Sequence, residues 1–369
     1  MKFSINRKKL YKALSQIQGI TNNKTNLAIT SDVLISSKNS KITVFANNLE
    51  TVFEGTYDAE IESDGIISIN SKKLYEILKE YPDFNILLNE IEDRWIEIGE
   101  GNIQYHIVTS NYKNFPEKPL IEDISFVEIN SEDFKRMVEV SSTISFLIDE
   151  KRIYVLGVCL EKINNENKIR MVSTDSKKLT CFDLEYKDDF IIPDKGIIIP
   201  KKGISELNKF IEKDKKIKIG IKNNYFIVKK NNEIIMIKLL EGGYPDYKKI
   251  INTDTMIPIE INKAMFLMVM KRMSILCSEQ YKNAIFNFKE NGIVVTITNP
   301  EIGESKEEIL VDYLDKNIKT SFNTRYFIDI LNIINSENII LYIKNKKSPC
   351  VIKGIDDNKL ISVIMPISI

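Results

Sequence analysis

Histidine is almost absent from this chain. One residue, His106, occurs in 369, inside an alternating stretch and without a second imidazole to share a metal, so a structural or interface role outweighs a catalytic one. Glycine is sparse, at 14 residues, and no GxGxxG or P-loop lies among them, which removes two common backbone cradles for nucleotides. Gly99-Glu100-Gly101 reads only as a hairpin turn, and no nucleophile elbow is present. The 4 cysteines, Cys159, Cys181, Cys277 and Cys350, are too scattered for a metal site or a dense disulfide framework. Asp188-Asp189 and Asp356-Asp357 are adjacent pairs, which strand geometry would point opposite ways, so they read as turn residues. Distant carboxylates can still converge in a fold, and nothing in the sequence argues that they do. No cofactor or metal is expected.

Excess charge is also lacking. Lys+Arg and Asp+Glu both number 52, so a nucleic-acid face would have to arise from placement of charge rather than from surplus. No apolar run approaches membrane-spanning length, and Met1-Lys2-Phe3-Ser4 turns charged at once without a signal-peptide core. A cytoplasmic protein that needs no membrane is expected. Hydrophobic residues make up 43% of the chain, enough for real cores, and the length fits two or three domains.

What the chain does have is a recurring start signal. An extended apolar approach runs into a polar residue or proline and then into a short amphipathic helix. Ser68-Ile69-Asn70-Ser71 opens one, with Leu74, Ile77, Leu78 and Tyr81 at helical spacing, Asn70 or Ser71 as cap and Pro82 as stop. The same order recurs at Asn6, Asn130, Lys201, Asn262 and Asn323, about 60 to 70 residues apart. Taken in pairs, these six cassettes give a period near a third of the chain, large enough for each repeat to be a domain. Chance recurrence of Ile-Asn in an Asn-, Ile- and Lys-rich chain is the bland alternative.

Antiparallel strand patterns fill the intervals. The first helix is expected from Arg7 to Ile17, ended by Gly19. Residues 153–160 read as a strand, Gly220 as a bulge or close backbone approach, and Asn291-Gly292 as a hairpin turn. The acidic run 301–308 reads as a solvated face. The apolar end 360–369 reads as a strand or a segment packed near a groove. Pro- and Gly-rich connectors at 115–119 and 242–245 suggest boundaries. The expectation is an α+β protein of three similar domains, 1–120, 126–250 and 254–369, each with two helices packed against antiparallel sheets.

Basic residues gather in the cassettes: Lys8, Lys12, Lys72, Lys135, Lys201, Lys202 and Lys271 among them. If the helices share one side, that side is positive and suits sequence-independent phosphate contact. Ordinary helix solvation in a Lys-rich chain explains the same residues equally well.

The six cassettes, the connector Gly243-Tyr244-Pro245-Asp246-Tyr247 and the ending Met365-Pro366 together resemble the bacterial DNA polymerase III β subunit, or sliding clamp, family. Asn48-Leu49-Glu50, Ser173-Thr174-Asp175, Ile199-Pro200-Lys201-Lys202, Asn299-Pro300-Glu301 and Ser321-Phe322-Asn323 match in order over essentially the whole length. The resemblance implies clamp domains in a head-to-tail homodimeric ring around double-stranded DNA, with processivity rather than catalysis as the activity. It adds Lys24 to the DNA-contacting lysines. It places the ring interface at His106 and Val108 of one copy against Ile275 and Leu276 of the other.

The resemblance also implies a groove for partner motifs, serving the DNA polymerase III alpha subunit, the clamp loader, and other polymerases and repair proteins. Carried onto this chain, it takes in Arg152, Val155, Thr174, Ser176, Lys177, Lys178, Leu179, Pro245, Lys249, Ile250, Asn323, Tyr326, Ile364, Met365, Pro366, Ile367 and Ser368. The family usually has Gly-His-Arg at Ser176-Lys177-Lys178, and Met-Arg-Leu at Ile367-Ser368-Ile369. Apolar anchoring by Leu179, Val155, Pro245, Ile364 and Met365 is expected to persist, with Lys177 and Lys178 as mobile point charges on the rim. A monomeric nucleic-acid enzyme of α+β domains, or a related scaffold that no longer encircles DNA, are the other readings.

Overall fold

The asparagine that opens five of the six cassettes is a helix cap. Asn6, Asn70, Asn262 and Asn323 accept through Oδ1 from the backbone N–H of Lys9 (3.1 Å), Lys73 (3.0 Å), Met265 (3.0 Å) and Arg325 (3.0 Å). Asn130 accepts from Glu132 (2.9 Å) and Asp133 (3.1 Å). Each cap satisfies donors that a helix start leaves open, typically for about 1 kcal/mol. Pro200 takes the remaining place without a side-chain acceptor.

The helices of this computed structural model are α1 (Arg7–Thr21), α2 (Ser71–Glu80), α3 (Ser131–Ser142), α4 (Ile153–Leu156), α5 (Lys201–Phe210), α6 (Lys248–Ile251), α7 (Lys263–Ser274) and α8 (Thr324–Leu331). The structure describes every residue except 23–26, 93, 145–152, 164–165, 187–190, 214–215, 279 and 368–369. No helix among the described residues is long and apolar enough to cross a membrane.

Two sequence expectations change. Gly19 does not end α1, which continues to Thr21. A Cβ at Gly19 would strike the Glu206 carboxylate on α5, so the glycine provides room for a close approach. The apolar run expected as a strand begins instead as α4, and the strand starts at Gly157. A run that short fits either state by pattern alone. Gly220 does mark a close approach, since a Cβ there would lie 2.7 Å from Ile124 Cγ2.

One tie recurs between the paired helices. Arg7 Nη1 donates to the Leu78 carbonyl at 2.7 Å, and Lys263 Nζ to the Ile334 carbonyl at 2.8 Å. Lys135 Nζ donates to the Asn208 carbonyl. A cation near a helix's carbonyl end complements the dipole there. The repeated device marks one plan used in each third of the chain.

The first compact unit comprises Met1–Lys135, Tyr186–Ile192 and Ile199–Leu240. Its five-stranded sheet runs Glu60–Ser63, Lys2–Asn6, Asn85–Glu92, Trp95–Glu100, Ile103–Val108. Its eight-stranded sheet runs Val127–Asn130, Lys216–Lys222, Tyr225–Lys230, Glu233–Lys238, Thr51–Asp58, Lys41–Asn47, Asp32–Lys38, Gly65–Asn70. Leu10, Leu14, Ile17, Leu74 and Leu78 bury the apolar stripes of α1 and α2, and Tyr11 stacks on Tyr75 at 5.0 Å.

The second unit comprises Arg136–Glu185, Pro193–Ile198 and Glu241–Ile369. Its eight-stranded sheet runs Ile197–Pro200, Gly157–Ile163, Lys168–Thr174, Lys178–Glu185, Leu360–Ile364, Cys350–Gly354, Asn338–Ile343, Ile257–Asn262. Its four-stranded sheet runs Gly303–Leu310, Gly292–Asn299, Asn283–Lys289, Ile318–Asn323. The acidic run is thus an edge strand, and Asn291-Gly292 is a hairpin turn as expected.

Each eight-stranded sheet joins strand sets from different thirds of the chain. The first joint pairs Glu233–Lys238 with Thr51–Asp58, Met236 opposite Val52. The second pairs Leu360–Ile364 with Lys178–Glu185, Val363 opposite Leu179. The middle third contributes to both sheets, so the compact units cut across the sequence repeats.

Candidate functional site

A cavity of about 180 Å³ opens in the second unit. Thr174, Ser176, Lys178 and Leu179 line one wall, Pro245, Asp246, Tyr247 and Ile250 another, and Val363 and Met365 the C-terminal side. It is smaller than pockets that enclose a whole drug-sized ligand and suits an apolar side chain or two of an extended segment. Val172, Leu179, Tyr247, Val351 and Val363 form the packed apolar cluster at its base.

The first wall is rigid because its turn bonds to itself. Asp175 Oδ1 accepts from the N–H groups of Lys177 and Lys178, both at 2.8 Å. Thr174 Oγ1 donates to the Lys178 carbonyl at 2.9 Å and accepts from the Ser176 N–H at 3.1 Å. These bonds hold Ser176 at φ 71°, where a Cβ costs about 1–2 kcal/mol. A glycine would sit there without that cost.

Lys178 is not the mobile charge that the sequence suggests. It is buried, with Nζ 2.5 Å from Asp329 Oδ2 on α8 and 5.2 Å from the Tyr326 ring centroid. A long side chain laid along an aromatic face and pinned at its tip is a strut. Of the adjacent pair Lys177 and Lys178, Lys177 is the exposed one.

The C-terminal segment completes a sheet and also borders the cavity. After strand Leu360–Ile364, the Met365 N–H donates to the Lys177 carbonyl and the Ile367 N–H to the Ser321 carbonyl, both at 2.8 Å. Strand alternation sends Val363 and Met365 to the cavity and Ile364 to the opposite face, where it is fully buried. Ile364 therefore does not line the cavity, and neither does Val155, which is also fully buried.

Asn323 is buried as the cap of α8, while Lys249 is exposed on α6, and Pro366 and Ile367 are half-buried. Arg152 and Ser368 lie outside the described residues. Asp246, Tyr247 and Val363 escaped the sequence reading, although the Tyr-Pro-Asp-Tyr connector signalled the first two. The Tyr247 hydroxyl donates to Glu161 Oε1, and Tyr244 donates to the Val172 carbonyl at 3.0 Å. Burial, with the Glu161 carboxylate beside it, holds the Tyr247 hydroxyl above its ordinary range, so it remains a donor.

The lysines of the cassettes divide by environment. Lys8, Lys72, Lys202 and Lys271 are exposed. Lys12 is exposed too but pairs with Glu212 at 2.8 Å. Lys135 is committed to the Asn208 carbonyl. Lys201 is buried at 4% exposure, so it does not present its charge on a surface. As the first helical residue it starts the stripe that α5 buries with Ile204, Leu207 and Phe210. Lys24 lies outside the described residues. Basic first turns oppose the helix dipole, at about 0.3–1 kcal/mol per charge at an exposed site. Their presence in α1, α2 and α5, where no first-turn acid offsets them, is not explained by stability.

Models of the DNA polymerase III beta subunit match the chain in consecutive pieces. The N-terminal domain matches residues 1–119, the central domain 128–246 and the C-terminal domain 248–368. The chain belongs to the DNA polymerase III beta subunit family. It is 29% identical to the beta sliding clamp of Buchnera aphidicola, over 99% of each chain. It is 25% identical to that of Haemophilus influenzae, again over 99% of each. A solved DNA polymerase III beta subunit structure from Eubacterium rectale superposes with a TM-score of 0.92 at 26% identity, covering 100% of both chains. The Caulobacter crescentus beta sliding clamp shares the fold, with a TM-score of 0.93 at 23% identity over 100% of both.

The positions that the beta-subunit resemblance assigns to the ring interface are open. His106 and Val108 are exposed on edge strand Ile103–Val108, and His106 Nε2 lies 3.2 Å from Glu97 Oε2 across the ladder. Ile275, just past α7, is 74% exposed. Leu276 is half-buried, and its carbonyl accepts from Asn299 Nδ2 at 2.9 Å.

Proposed function

We propose that this protein is a DNA sliding clamp. Two copies close head to tail around duplex DNA, confer processivity on the replicative polymerase, and recruit partners through the cavity beside Leu179. The protein holds DNA by topology rather than by chemistry and is not an enzyme. Its domains are 1–120, 126–250 and 254–369. Its partners are the DNA polymerase III alpha subunit, the clamp loader, and other polymerases and repair proteins that carry a short apolar motif.

The observation that carries this reading is a joint made twice and left open a third time. Inside each eight-stranded sheet, the strand after a polar turn pairs with the last strand of another section. The strands in those places in the remaining sheets are Gly303–Leu310 and Ile103–Val108, and both are sheet edges. Unpaired edges invite strand addition. These carry exposed Leu310, Ile103, Tyr105 and Val108. Pairing one edge with the other edge of a second copy repeats the internal joint. Two distinct surfaces that meet this way build a closed ring when the rotation closes. Exposed, mobile lysines then suffice, because phosphate attraction is nearly the same at every step along DNA.

The test is retention on DNA. With a clamp loader supplied, the protein should stay on nicked circular plasmid through gel filtration and run off when the plasmid is linearised. Equal loss from circle and linear DNA would refute encirclement. A motif peptide should bind the full chain, and binding should fall on truncation before Met365 with melting unchanged. Equal binding by both chains would refute the groove.

A further inference from the structure

Two joints inside the chain predict the chemistry of a third. In each, the first helix of one third reaches the residues just past the second helix of the next, and the helices keep one plan. The fourth residue of the first helix is buried in every third, as Leu10, Phe134 and Phe266. The eleventh residue counted from the start of the second helix is buried too, as Tyr81, Ile211 and Ile334. These anchors fix which positions correspond.

At both internal joints the sixth residue of the first helix is a cation with a carboxylate opposite. Lys12 Nζ lies 2.8 Å from Oε2 of Glu212, the residue after the anchor Ile211. Arg136 Nη2 donates to Asp357 Oδ2 at 2.6 Å, and the same oxygen accepts at 3.0 Å from the N–H of Asn335, the residue after the anchor Ile334. The helices that neither internal joint uses are α7 and α2, and there the pattern breaks. The sixth residue of α7 is Met268, 53% exposed. After the anchor Tyr81 come Pro82 and Asp83, and then Phe84, 69% exposed. The turn that carries them is pinned, because Arg7 donates from its backbone N–H to the Phe84 carbonyl at 2.9 Å and from Nε to the Asp83 carbonyl at 3.0 Å.

A second position agrees. Gly19, the thirteenth residue from the start of α1, lies against Glu206 on α5. In α7 that place belongs to Ile275, which the ring reading already puts at the interface and which is exposed. Met268 precedes it by two helical turns and so shares its face.

We propose that Met268 of each copy seats on the Pro82–Phe84 turn of the other, so that the joint between copies is apolar where both internal joints are ionic. The proposal rests on the ring reading and names a contact within it. A polarizable thioether packs well against an aromatic ring, and neither side chain brings a charge to desolvate.

The test is sedimentation equilibrium of the full-length protein. Met268→Glu puts a charge into the contact, where Asp83 of the other copy adds repulsion, and Phe84→Ser removes the opposite half. Each should raise the dimer dissociation constant about tenfold or more, since a two-copy ring closes at two joints and each substitution acts twice. Both residues are exposed, so circular dichroism and melting at high dilution should not change. Adding Pro82→Lys to Met268→Glu supplies the pair that Lys12 and Glu212 form inside the chain, with its direction reversed. Affinity should then recover, and the recovery should shrink as salt is raised, because exposed ion pairs are screened. A dimer that Met268→Glu leaves unchanged, or that Pro82→Lys fails to rescue, would overturn the contact. An unmutated protein that sediments as a monomer would defeat the ring reading beneath it. A dimer disrupted by Ile275→Asp/Leu276→Asp but not by Met268→Glu would leave that reading standing and defeat this contact alone.

Discussion

Replacing Asp175 with alanine probes how the groove wall is held. Its Oδ1 is the acceptor for two backbone N–H groups, those of Lys177 and Lys178, at 2.8 Å each. The Lys178 donor is buried, and orphaning it costs about 1–3 kcal/mol. The Lys177 donor borders solvent and loses only a net bond, about 0.5–1.5 kcal/mol. The sum is about 1.5–4.5 kcal/mol in the second unit.

The first unit supplies the control. There Asn48 Oδ1 accepts from Glu50 (3.1 Å) and Thr51 (2.7 Å), and Leu49 sits at φ 75° as Ser176 does at 71°. The Lys238 N–H donates to the Glu50 carbonyl at 2.8 Å, as Met365 does to Lys177. An asparagine therefore sustains this turn, and Asp175→Asn should cost under about 1 kcal/mol. The assay is urea denaturation followed by circular dichroism, with titration of a labelled motif peptide. The alanine variant should lose the stated stability and about tenfold or more in peptide affinity, equivalent to 1.4 kcal/mol, because Ser176, Lys178 and Leu179 line the cavity. The asparagine variant should stay near wild type. Equal instability of the two variants, or wild-type peptide affinity in the alanine variant, would refute the reasoning.

Ile275→Asp/Leu276→Asp should sediment as a monomer, with the loss of about 1.5–3 kcal/mol of burial per side chain in the ring interface; an unchanged dimer would place the interface elsewhere. Asp32 is buried, and burial raises its carboxyl above 3.8, against bonds from Ser110 and Ser68 that lower it. The folded state then holds that proton more tightly than the unfolded chain, so the ionised group is a penalty, complete above the folded pKa and lost as pH falls toward the unfolded one. Asp32→Asn should stabilise the protein at neutral pH by a margin that shrinks on acidification; urea midpoints whose difference grows at low pH would contradict this. Burial pushes the Cys159 thiol up to about 12 and raises those of Cys181 and Cys350. Mass spectrometry after a brief alkylation at mildly alkaline pH should therefore find Cys277, which is half-buried, labelled first; early label on Cys181 or Cys350 would show that the core opens.

Local signals were legible in the sequence. Ile-Asn before an amphipathic stripe announced a strand, a cap and a helix, because a cap depends on residues within one turn of each other. The α+β class and the repeated plan followed from those signals and their spacing. The full-length resemblance pointed to a cavity near Leu179, Pro245 and Met365. Tertiary structure decided which residue of a plausible set does the work. Ile364 and Met365 looked alike as apolar groove positions, but alternation allows only one of them to face the cavity. Lys178 and Lys177 looked alike as rim charges, but only Lys178 reaches Asp329 and Tyr326 and is buried there. Gly19 looked like a helix stop until Glu206, far along the chain, showed what needed the space. The sequence marks the middle third as one repeat, and only the tertiary structure shows that its strands enter both eight-stranded sheets. Each of these depends on a partner far away in sequence, and local pattern carries no information about which distant side chain will fill the other half of a contact.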